Sequence, residues 1–507
     1  MKKFIALIIS GILLACSFPK LTFFPLAWFC LIPFLHFLIG RKTWRLVILG
    51  HILFFGPFFS IVLYWIPRVI YEYGELSWLI SGVIFLLLVA AMSLLMFPIS
   101  AITQLISRKS SQEIALLTIP ATWTSCELLR NYVGAGGFPW ASLGYSQVPF
   151  SWLLQVADLG GVYLISFLLV ALNCVWIFWW RDIRGPAIVG ISFFLLAVFY
   201  GAVRPASWEL YQETGRRVSL IQPGVELLGS DEYFEQVYFR KLPEEYLRAA
   251  AGGVDWVFFP ETPNPYSPDR DGYFKRFWSK VISNGKTGLI MNATGRLQGL
   301  DHHFNSAFVV DKKGRFIHRY NKRKLVPFGE YIPLGGIQLG FGGPLIQGGM
   351  DFSPGARSQK NPSMDGVPFG MLICYESIFP ELSRKAVREG AQFLVNVTND
   401  RWFGFSAAPF QHLQMAILRA VEQRKPLLRA ANYGVSAWID EMGVIRKRLD
   451  LFDTGHLEIS FHPNSYRTVN SYLGDWSIFI LILVTGIGAI VLIRIEKREG
   501  IAYERLS

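Results

Sequence analysis

Long apolar stretches are the feature that most restricts how this chain folds. A transmembrane helix needs roughly 20 mostly apolar residues, and about eight stretches approach that length. Only 17% of the residues are charged and the mean hydropathy is +0.34, so the sequence predicts a polytopic α-helical membrane protein. The stretches lie near Phe4–Ser17, Leu21–Gly40, Leu46–Ile66, Leu76–Ile106, Ile114–Leu129, Val162–Trp180, Ile188–Val203 and Leu473–Ile493, and the first and fifth are short.

Positively charged residues collect in alternate loops between these stretches. Basic clusters precede the first stretch and follow the second, fourth, sixth and last, and the positive-inside rule places all of them in the cytoplasm. An even number of helices then returns the C-terminus to the cytoplasm and exports the segment between the seventh and eighth helices. The clusters are Lys2–Lys3, Arg41–Arg45, Arg108–Lys109, Arg181–Arg184 and Arg494–Arg498.

This pattern predicts three regions of a bacterial inner-membrane protein with both termini in the cytoplasm. Residues 1–203 form an N-terminal transmembrane domain of about seven helices. Residues 204–472, where charges become frequent and apolar runs shorten, form one periplasmic globular domain with its own core. Residues 473–507 form the last transmembrane helix and a cytoplasmic tail. The net charge of +12 reflects the basic loops in part, which argues against a nucleic-acid-binding protein.

Short apolar runs alternate with amphipathic stretches along the globular region. An alternation of strand-like and helix-like segments predicts a layered α/β domain. The strands are predicted near Arg217–Gln222, Val254–Phe259, Gly288–Asn292, Ala307–Asp311, Phe369–Ile373 and Phe393–Val397, and the helices near Glu235–Ala251, Tyr273–Ser283, Leu382–Gly390 and Gln411–Arg424.

Cys374 is the only cysteine of the globular region, and it ends an apolar run in the segment GMLICYESIFP. It therefore has no partner there for an intramolecular disulfide. A lone thiol in an oxidising compartment is a liability unless it is buried or used. A structural core cysteine is the simplest interpretation, but such a residue is expected inside an apolar run and not at its exit.

Polar side chains follow three strand-like runs, at Glu261, Lys322 and Cys374. The ends of strands in α/β sheets are where ligands and chemistry collect. A thiol needs a base to become a nucleophile and a cation to hold the oxyanion. Glu261 can be that base if burial raises its pKa, and Lys322 can be the cation. Taken singly they also suit a helix cap, a surface lysine and a core cysteine, but their joint occurrence at strand ends favours a catalytic site.

Other catalytic classes receive less support from the sequence. There is no CxxC, HExxH, P-loop or EF-hand motif, so we expect neither a metal site nor a cofactor. His302 and His303 lie in a turn-like run and His318 lies in a predicted strand, so no Cys-His pair is predicted. The apolar, glycine-containing loop Pro333–Met350 suits either a mobile flap that touches lipid or a disordered connection.

The segments that carry these residues resemble a known family. The segments "FFPET", "YNKRKLVPFGEYIP", "CYESIFPEL" and "NVTNDRWFG" look like the Glu-Lys-Cys triad regions of the apolipoprotein N-acyltransferases, the membrane-embedded branch of the nitrilase superfamily. The membrane part agrees, with "GGFPWASLGYSQ" over Gly136–Gln147 and "LQVADLGGVYLISF" over Leu154–Phe167. The resemblance covers nearly the whole chain. It implies about eight transmembrane helices and a periplasmic nitrilase-like αββα sandwich domain.

The resemblance also implies a reaction and a set of roles. The reaction is transfer of an acyl chain from a phospholipid to the α-amine of a diacylglyceryl-modified apolipoprotein, by a monomer in inner-membrane lipid, through a cysteine thioester. The implied roles are Cys374 as nucleophile, Glu261 as base, Lys322 as oxyanion stabiliser, Glu330 and Glu376 as supporting acids, Tyr375 as a source of a backbone amide, and Asn399 in the matched "TND" turn.

The sequence departs from the family pattern at two places and leaves two alternative functions open. The family usually has a Lys-Trp pair where this chain has Leu228–Asp231, including Ser230 and Asp231, and Arg401 stands where a small residue is usual. One alternative function is a membrane-anchored nitrilase or amidase in which water replaces the amine. The other is a transporter or binding module with an inactive domain, which the presence of all three triad residues disfavours.

Overall fold

The computed structural model describes residues 1–40, 42–74, 76–134, 136–204, 215–296, 302–331 and 352–506. The loop Pro333–Met350 lies outside the described residues. The chain divides into two compact units. The first comprises Met1–Pro67, Trp78–Ala206 and Leu473–Ser507, and the second comprises Arg68–Ser77 and Ser207–Tyr472.

The described residues up to Arg204 form helices. Local signals set their ends, as where the hydroxyl of Ser111 accepts a hydrogen bond from the N–H of Ile114 and caps the helix that follows. A last helix spans Trp476–Leu506 near the C-terminus. The others are α1 (Lys2–Cys16), α2 (Ile32–Ile39), α3 (Trp44–Val62), α4 (Ile66–Gly74), α5 (Trp78–Lys109), α6 (Gln112–Leu129), α7 (Ser151–Leu154), α8 (Ala157–Trp180) and α9 (Arg184–Val203).

Five helices of the described chain are long and apolar enough to cross a membrane: α3, α5, α8, α9 and Trp476–Arg498. The other predicted stretches form shorter or more polar helices. Helix α1 has 15 residues, and α6 has 18 residues but contains polar side chains. The stretch Leu21–Gly40 is divided into a 3-10 helix, Phe24–Trp28, and α2, each with a proline in its first turn. The five helices indicate a membrane protein, and the total of about eight spans stays a prediction.

The second unit contains two six-stranded sheets. Its strands are β1 (Arg216–Gln222), β2 (Trp256–Phe258), β3 (Gly288–Arg296), β4 (His303–Val310), β5 (Phe316–Asn321), β6 (Ser363–Met364), β7 (Val367–Ile373), β8 (Phe393–Asn399), β9 (Leu427–Asn432), β10 (Ser436–Ile439), β11 (Ile445–Leu449) and β12 (Gly455–Phe461). The strand orders are β12-β1-β2-β3-β4-β5 and β11-β10-β9-β8-β7-β6. Every strand predicted from the sequence is present. His303 begins β4, so the turn expected at that residue is wrong.

The helices of the second unit lie near their predicted positions. The helix predicted over Glu235–Ala251 begins earlier, at Asp231, because the hydroxyl of Ser230 caps it by accepting from the N–H of Tyr233. A π-helical turn over Val237–Lys241 then divides it in two. The helices are α10 (Asp231–Gln236), α11 (Leu242–Ala251), α12 (Gly272–Gly285), α13 (Pro380–Arg388) and α14 (Ala408–Gln423).

The two sheets pack face to face between layers of helices. Alternate side chains point to opposite faces of a strand, so each sheet has an inner and an outer apolar face. Val218 and Phe258 of one sheet meet Phe369 and Val395 of the other in a buried core. Helices α10 to α12 cover the outer face of the first sheet, where Trp278 is fully buried, and α13 and α14 pack on the second sheet. The layers are helix, sheet, sheet, helix, as predicted.

Strand direction gathers the candidate site residues at one end of the sheets. Strands β1, β2 and β3 are parallel, and so are β7, β8 and β9. Strand β5 runs in the direction of β3, because β4 is antiparallel to both. Glu261 follows the carboxyl end of β2, Lys322 follows β5, Cys374 follows β7 and Asn399 ends β8.

We expect Phe393→Ala to destabilise the protein by about 3–5 kcal/mol. Phe393 of β8 stacks on Phe369 at 5.1 Å between ring centroids and meets Phe461 of the other sheet at 5.0 Å, so its removal leaves a cavity between the sheets. The measurement is the apparent Tm of the full chain in detergent. Leu247→Ala, on an α11 side chain that is 43% exposed, is the control and should change the Tm little. Equal Tm values for the two variants would contradict the assignment.

Candidate active site

Cys374 begins a short 3-10 turn, Cys374–Ile378, directly after β7. The residue is only 8% exposed. Its φ of +47° lies in the left-handed region, which is uncommon for a residue with a Cβ. Backbone conformations of this kind persist only where surrounding contacts maintain them, and they concentrate at functional sites. The surroundings of the strand end therefore maintain an unusual backbone conformation at Cys374.

A buried lysine lies between two carboxylates at the end of β5. The Nζ atom of Lys322 is 3.4 Å from Oε1 of Glu261 and 2.8 Å from Oε1 of Glu330. The Nδ2 atom of Asn305 donates to the same two oxygens at 2.6 and 2.8 Å. The other oxygen of Glu261 accepts from the backbone N–H of Asn399 at 3.1 Å. These donors hold the Glu261 carboxylate in one position within the cluster.

The electrostatics of the cluster set the charge of the amine and the thiol. Burial by itself lowers the pKa of Lys322, but Glu261 and Glu330 outweigh it and raise that pKa above its ordinary value, so the ammonium is retained. Burial raises the pKa of the Cys374 thiol well above its ordinary value, Glu261 raises it further, and Lys322 opposes both. The resting thiol is therefore protonated at neutral pH. The thiol interacts electrostatically with both Glu261 and Lys322, so the three predicted triad residues lie in one site.

Glu376 joins the turn after β7 to the loop after β5. Its two carboxylate oxygens accept from the hydroxyl of Tyr320 at 3.0 and 2.9 Å. The backbone N–H of Arg323 donates to Oε1 at 2.6 Å, and that of Ile373 donates to Oε2 at 2.9 Å. Arg323 and Ile373 are the chain neighbours of the site lysine and the site cysteine. Glu376, which is fully buried, therefore fixes the two loops to each other.

The other two predicted residues lie beside the cluster. Tyr375 is 8% exposed, and its ring meets Phe379 edge to face at 5.1 Å. Asn399 is buried, and its Oδ1 accepts from the N–H of Arg401 and from Nδ2 of Asn432, both at 3.2 Å. The side chain of Asn399 thus orders its own loop, while its backbone N–H belongs to the carboxylate cluster.

Sequence reasoning missed two parts of this site. Asn305 lies inside β4. A polar side chain within an otherwise apolar strand is a sequence signal that could have identified it as a site residue. His412 lies inside α14, and its Nε2 is 2.8 Å from Oγ of Ser377 and 3.1 Å from the carbonyl oxygen of Cys374. The amphipathic pattern of α14 gave no sign of this contact, which joins residues far apart in the chain.

The two departures from the family pattern have structural roles. The segment Leu228–Asp231 leads into α10 through the Ser230 cap. The guanidinium of Arg401 lies 4.9 Å from the centre of the Tyr433 ring and donates to Glu226 at 3.2 Å. Arg401 therefore stabilises the loop that follows Asn399.

Comparisons with known proteins cover both halves of the chain. A family model described as the apolipoprotein N-acyltransferase N-terminal domain matches residues 10–175, and one described as carbon-nitrogen hydrolase matches residues 211–469. A Geobacter metallireducens protein named apolipoprotein N-acyltransferase is 35% identical, over 99% of this chain and 97% of its own length. A Vibrio cholerae protein of the same name is 30% identical, over 90% of this chain and 91% of its own length.

A solved structure also resembles part of the chain. It is a mutant of the Nesterenkonia AN1 amidase from the nitrilase superfamily, with 20% identity, a TM-score of 0.39, and coverage of 50% of this chain and 93% of that chain. The relatives match over almost the full length of the chain, and the matched model confirms the nitrilase-like class predicted for the globular region. The chain belongs to the apolipoprotein N-acyltransferase family.

Proposed function

We propose that this protein transfers an acyl chain from a membrane phospholipid to the N-terminal α-amine of diacylglyceryl-cysteine in apolipoproteins, which completes lipoprotein maturation. The observation that carries the proposal is the buried cluster of the Cys374 thiol, the Glu261 carboxylate and the Lys322 ammonium. Acyl transfer needs a nucleophile, a base and a cation for the oxyanion. The name of the relatives supports a lipoprotein acceptor.

The first half-reaction forms an acyl-enzyme. Glu261 accepts the proton of Cys374, and the thiolate adds to the carbonyl carbon of a phospholipid ester. Lys322 stabilises the oxyanion of the tetrahedral intermediate, and its pairing with Glu261 and Glu330 keeps it charged throughout. As the C–O bond breaks, protonated Glu261 returns the proton to the departing alkoxide. A lysophospholipid leaves and a thioester remains.

The second half-reaction transfers the acyl group to nitrogen. The neutral α-amine of the apolipoprotein adds to the thioester carbonyl while Glu261 accepts an amine proton. The C–S bond then breaks, and the Cys374 thiolate recovers that proton. Because the two substrates react in turn with one residue, the kinetics are expected to be ping-pong. No cofactor takes part in this scheme, since every proton and electron pair is supplied by the substrates and the three side chains.

The surrounding residues hold these groups in place. Glu330 balances the charge of Lys322, and Asn305 donates to both carboxylates. Glu376 fixes the loops that carry the amine and the thiol. The backbone N–H of Tyr375, directly after the nucleophile, is a second donor for the oxyanion.

The same proposal assigns locations to the regions of the chain. Residues 1–203 and 473–507 supply about eight spans of the inner membrane, and residues 204–472 lie in the periplasm, with both termini in the cytoplasm. The five apolar helices support this assignment. Burial of an acyl chain is worth about 0.8 kcal/mol per CH₂, so extracting a long chain into water costs on the order of 10 kcal/mol. A monomer in the inner membrane therefore meets both lipid-bearing substrates where they already reside.

A hydrolase is the second candidate, because the model matched to residues 211–469 is described as carbon-nitrogen hydrolase. In that case water takes the place of the amine. The full chain in phospholipid micelles should convert a diacylglyceryl-cysteine peptide into its N-acylated form. In a separate assay with small amides, the same protein should release no ammonia. Ammonia release without N-acylation would favour the hydrolase.

We expect Cys374→Ala to fold normally and to lose both acylation and transfer, because the proposed nucleophile is absent. Intact-mass measurement after mixing with phospholipid should show one added acyl chain on the wild-type protein and none on the variant. Cys126→Ala, which removes a buried cysteine of the first unit, is the matched control and should keep the adduct. Substantial transfer by Cys374→Ala would rule out the covalent mechanism.

We expect Glu261→Gln to slow acylation by about 10²–10⁴-fold at neutral pH, because glutamine accepts no proton. The raised pKa of the Cys374 thiol leaves little thiolate there, and below that pKa each pH unit increases the thiolate about tenfold. Acylation by Glu261→Gln should therefore rise with pH, whereas Lys322→Met, which lacks the cation, should recover much less. The measurement is acyl-enzyme formation against pH for variants with wild-type Tm. If Glu261→Gln is acylated at the wild-type rate at neutral pH, Glu261 is not the base.

We expect the second unit to be accessible from the periplasm. Ser460→Cys, at an exposed position of β12, should react with a membrane-impermeant maleimide once the outer membrane is permeabilised. Lys109→Cys, exposed at the end of α5 in a predicted cytoplasmic loop, is the matched probe and should react only after the inner membrane is disrupted. The reverse pattern would overturn the topology.

A further inference from the structure

A buried polar network lies behind the turn that carries Cys374, and the reaction scheme above does not use it. His412 of α14 is 1% exposed, and its Nδ1 is 3.0 Å from Oδ1 of Asp400. Nη2 of Arg429, on β9, donates to Oδ2 of Asp400 at 2.7 Å. Thr398 donates from Oγ1 to Oδ1 of the same carboxylate at 3.1 Å. All four side chains are buried, so the network holds the imidazole ring in one position.

The charges of this network leave the carboxylate ionised and the imidazole ring neutral. Burial by itself raises the pKa of Asp400, but Arg429 and His412 lower it to about 2, so the carboxylate is ionised. Burial and then Arg429 lower the pKa of His412, so the ring is neutral at pH 7. Nδ1 of the ring lies 3.0 Å from Oδ1 of Asp400 and 3.2 Å from Nη2 of Arg429. Nε2 faces the turn, where the hydroxyl of Ser377 and the carbonyl oxygen of Cys374 lie within hydrogen-bond distance.

Nε2 of His412 and the hydroxyl of Ser377 meet at the Cys374 carbonyl oxygen. Oγ of Ser377 donates to the carbonyl oxygen of Cys374 at 3.0 Å and lies 2.8 Å from Nε2 of His412. Nε2 is itself 3.1 Å from that carbonyl oxygen. Ser377 Oγ and His412 Nε2 therefore both lie within hydrogen-bond distance of the Cys374 carbonyl oxygen. The carbonyl of Cys374 is held on the side of α14.

The direction of the Cys374 carbonyl also determines the direction of the Tyr375 N–H. The C=O of Cys374 and the N–H of Tyr375 belong to one planar, trans peptide unit, in which they point in opposite directions. Fixing the carbonyl toward α14 fixes the N–H away from it. The positive φ of Cys374 makes this orientation strained, so a contact is needed to maintain it.

We propose that Ser377 and His412 are positioning residues that orient the Tyr375 amide as a donor to the oxyanion formed at Cys374. The inference rests on the proposed acyl-enzyme mechanism and deepens it. Removing an oxyanion donor outright costs about 10²–10³-fold in rate. Loss of its orientation should slow acylation by about 10- to 100-fold and leave the thiolate itself unchanged.

Two reactions of the same thiol separate this role from a structural one. Iodoacetamide alkylates Cys374 by displacing iodide from a CH₂ carbon, so no oxyanion forms. p-Nitrophenyl butyrate acylates it through a tetrahedral oxyanion and releases p-nitrophenolate. Both reactions need the thiolate, and therefore Glu261. The full chain in detergent is used for both, and peptide mass spectrometry assigns each label to Cys374.

The expected result is a selective loss. Ser377→Ala should slow butyrylation by about 10- to 100-fold and change alkylation by less than about twofold. His412→Gln keeps a polar group near the position of Nε2, so its loss of butyrylation should be smaller than that of Ser377→Ala. Ser460→Ala, on an exposed part of β12 near the start of β1, is the matched serine control and should change neither rate. Glu261→Gln should slow both reactions.

The results that would overturn the inference are equally specific. Equal slowing of both reactions in Ser377→Ala would mean that the thiol itself has moved, and unchanged butyrylation would mean that Ser377 does not orient the amide. The two labelling reactions contain no phospholipid. They therefore test the positioning role independently of the proposed phospholipid donor. A wild-type protein that is butyrylated but takes no acyl chain from phospholipid would refute the donor and leave this inference standing.

Discussion

The burial of Lys322 between Glu261 and Glu330 is the interaction on which the site depends. A buried ammonium is strongly disfavoured unless it is paired, and two carboxylates this close repel each other unless a cation lies between them. With one positive and two negative charges, the cluster can take up a proton on Glu261 while Glu330 keeps the lysine paired. Because Glu330 still pairs with Lys322, Glu261 can take up a proton as the proposed base while the ammonium keeps a negative partner.

This cluster exists only because two sheets end at the same place. Glu261 and Lys322 follow strands of the first sheet, whereas Cys374 and Asn399 belong to the second. The apolar core between the sheets fixes their separation, and Glu376 adds a direct tie by accepting from backbone N–H groups of both loops. Rigid strands thus determine where flexible side chains meet, which is the condition for donors and acceptors to be placed before substrate binds.

The sequence predicted those parts of the site that a local pattern can signal. A polar residue directly after an apolar strand is visible in one dimension, and Glu261, Lys322 and Cys374 were each found in that way. Asn305 and His412 were missed because they lie inside regular elements, where their partners come from strands and turns far along the chain. Every strand predicted from the sequence is present, but β6 and β9 to β12 were not predicted. The stretch Leu21–Gly40 was not recognised as two helices, because hydropathy does not register how proline begins a new helix.

Burial of Cys374 is consistent with the proposed periplasmic location, where a lone exposed thiol would be a liability. Oxidation and exchange proceed through an exposed thiolate. Cys374 is 8% exposed, and burial together with Glu261 raises its pKa, so the resting residue is a protonated and shielded thiol. In the proposed reaction it becomes reactive only when Glu261 takes its proton beside an ester that Lys322 can stabilise.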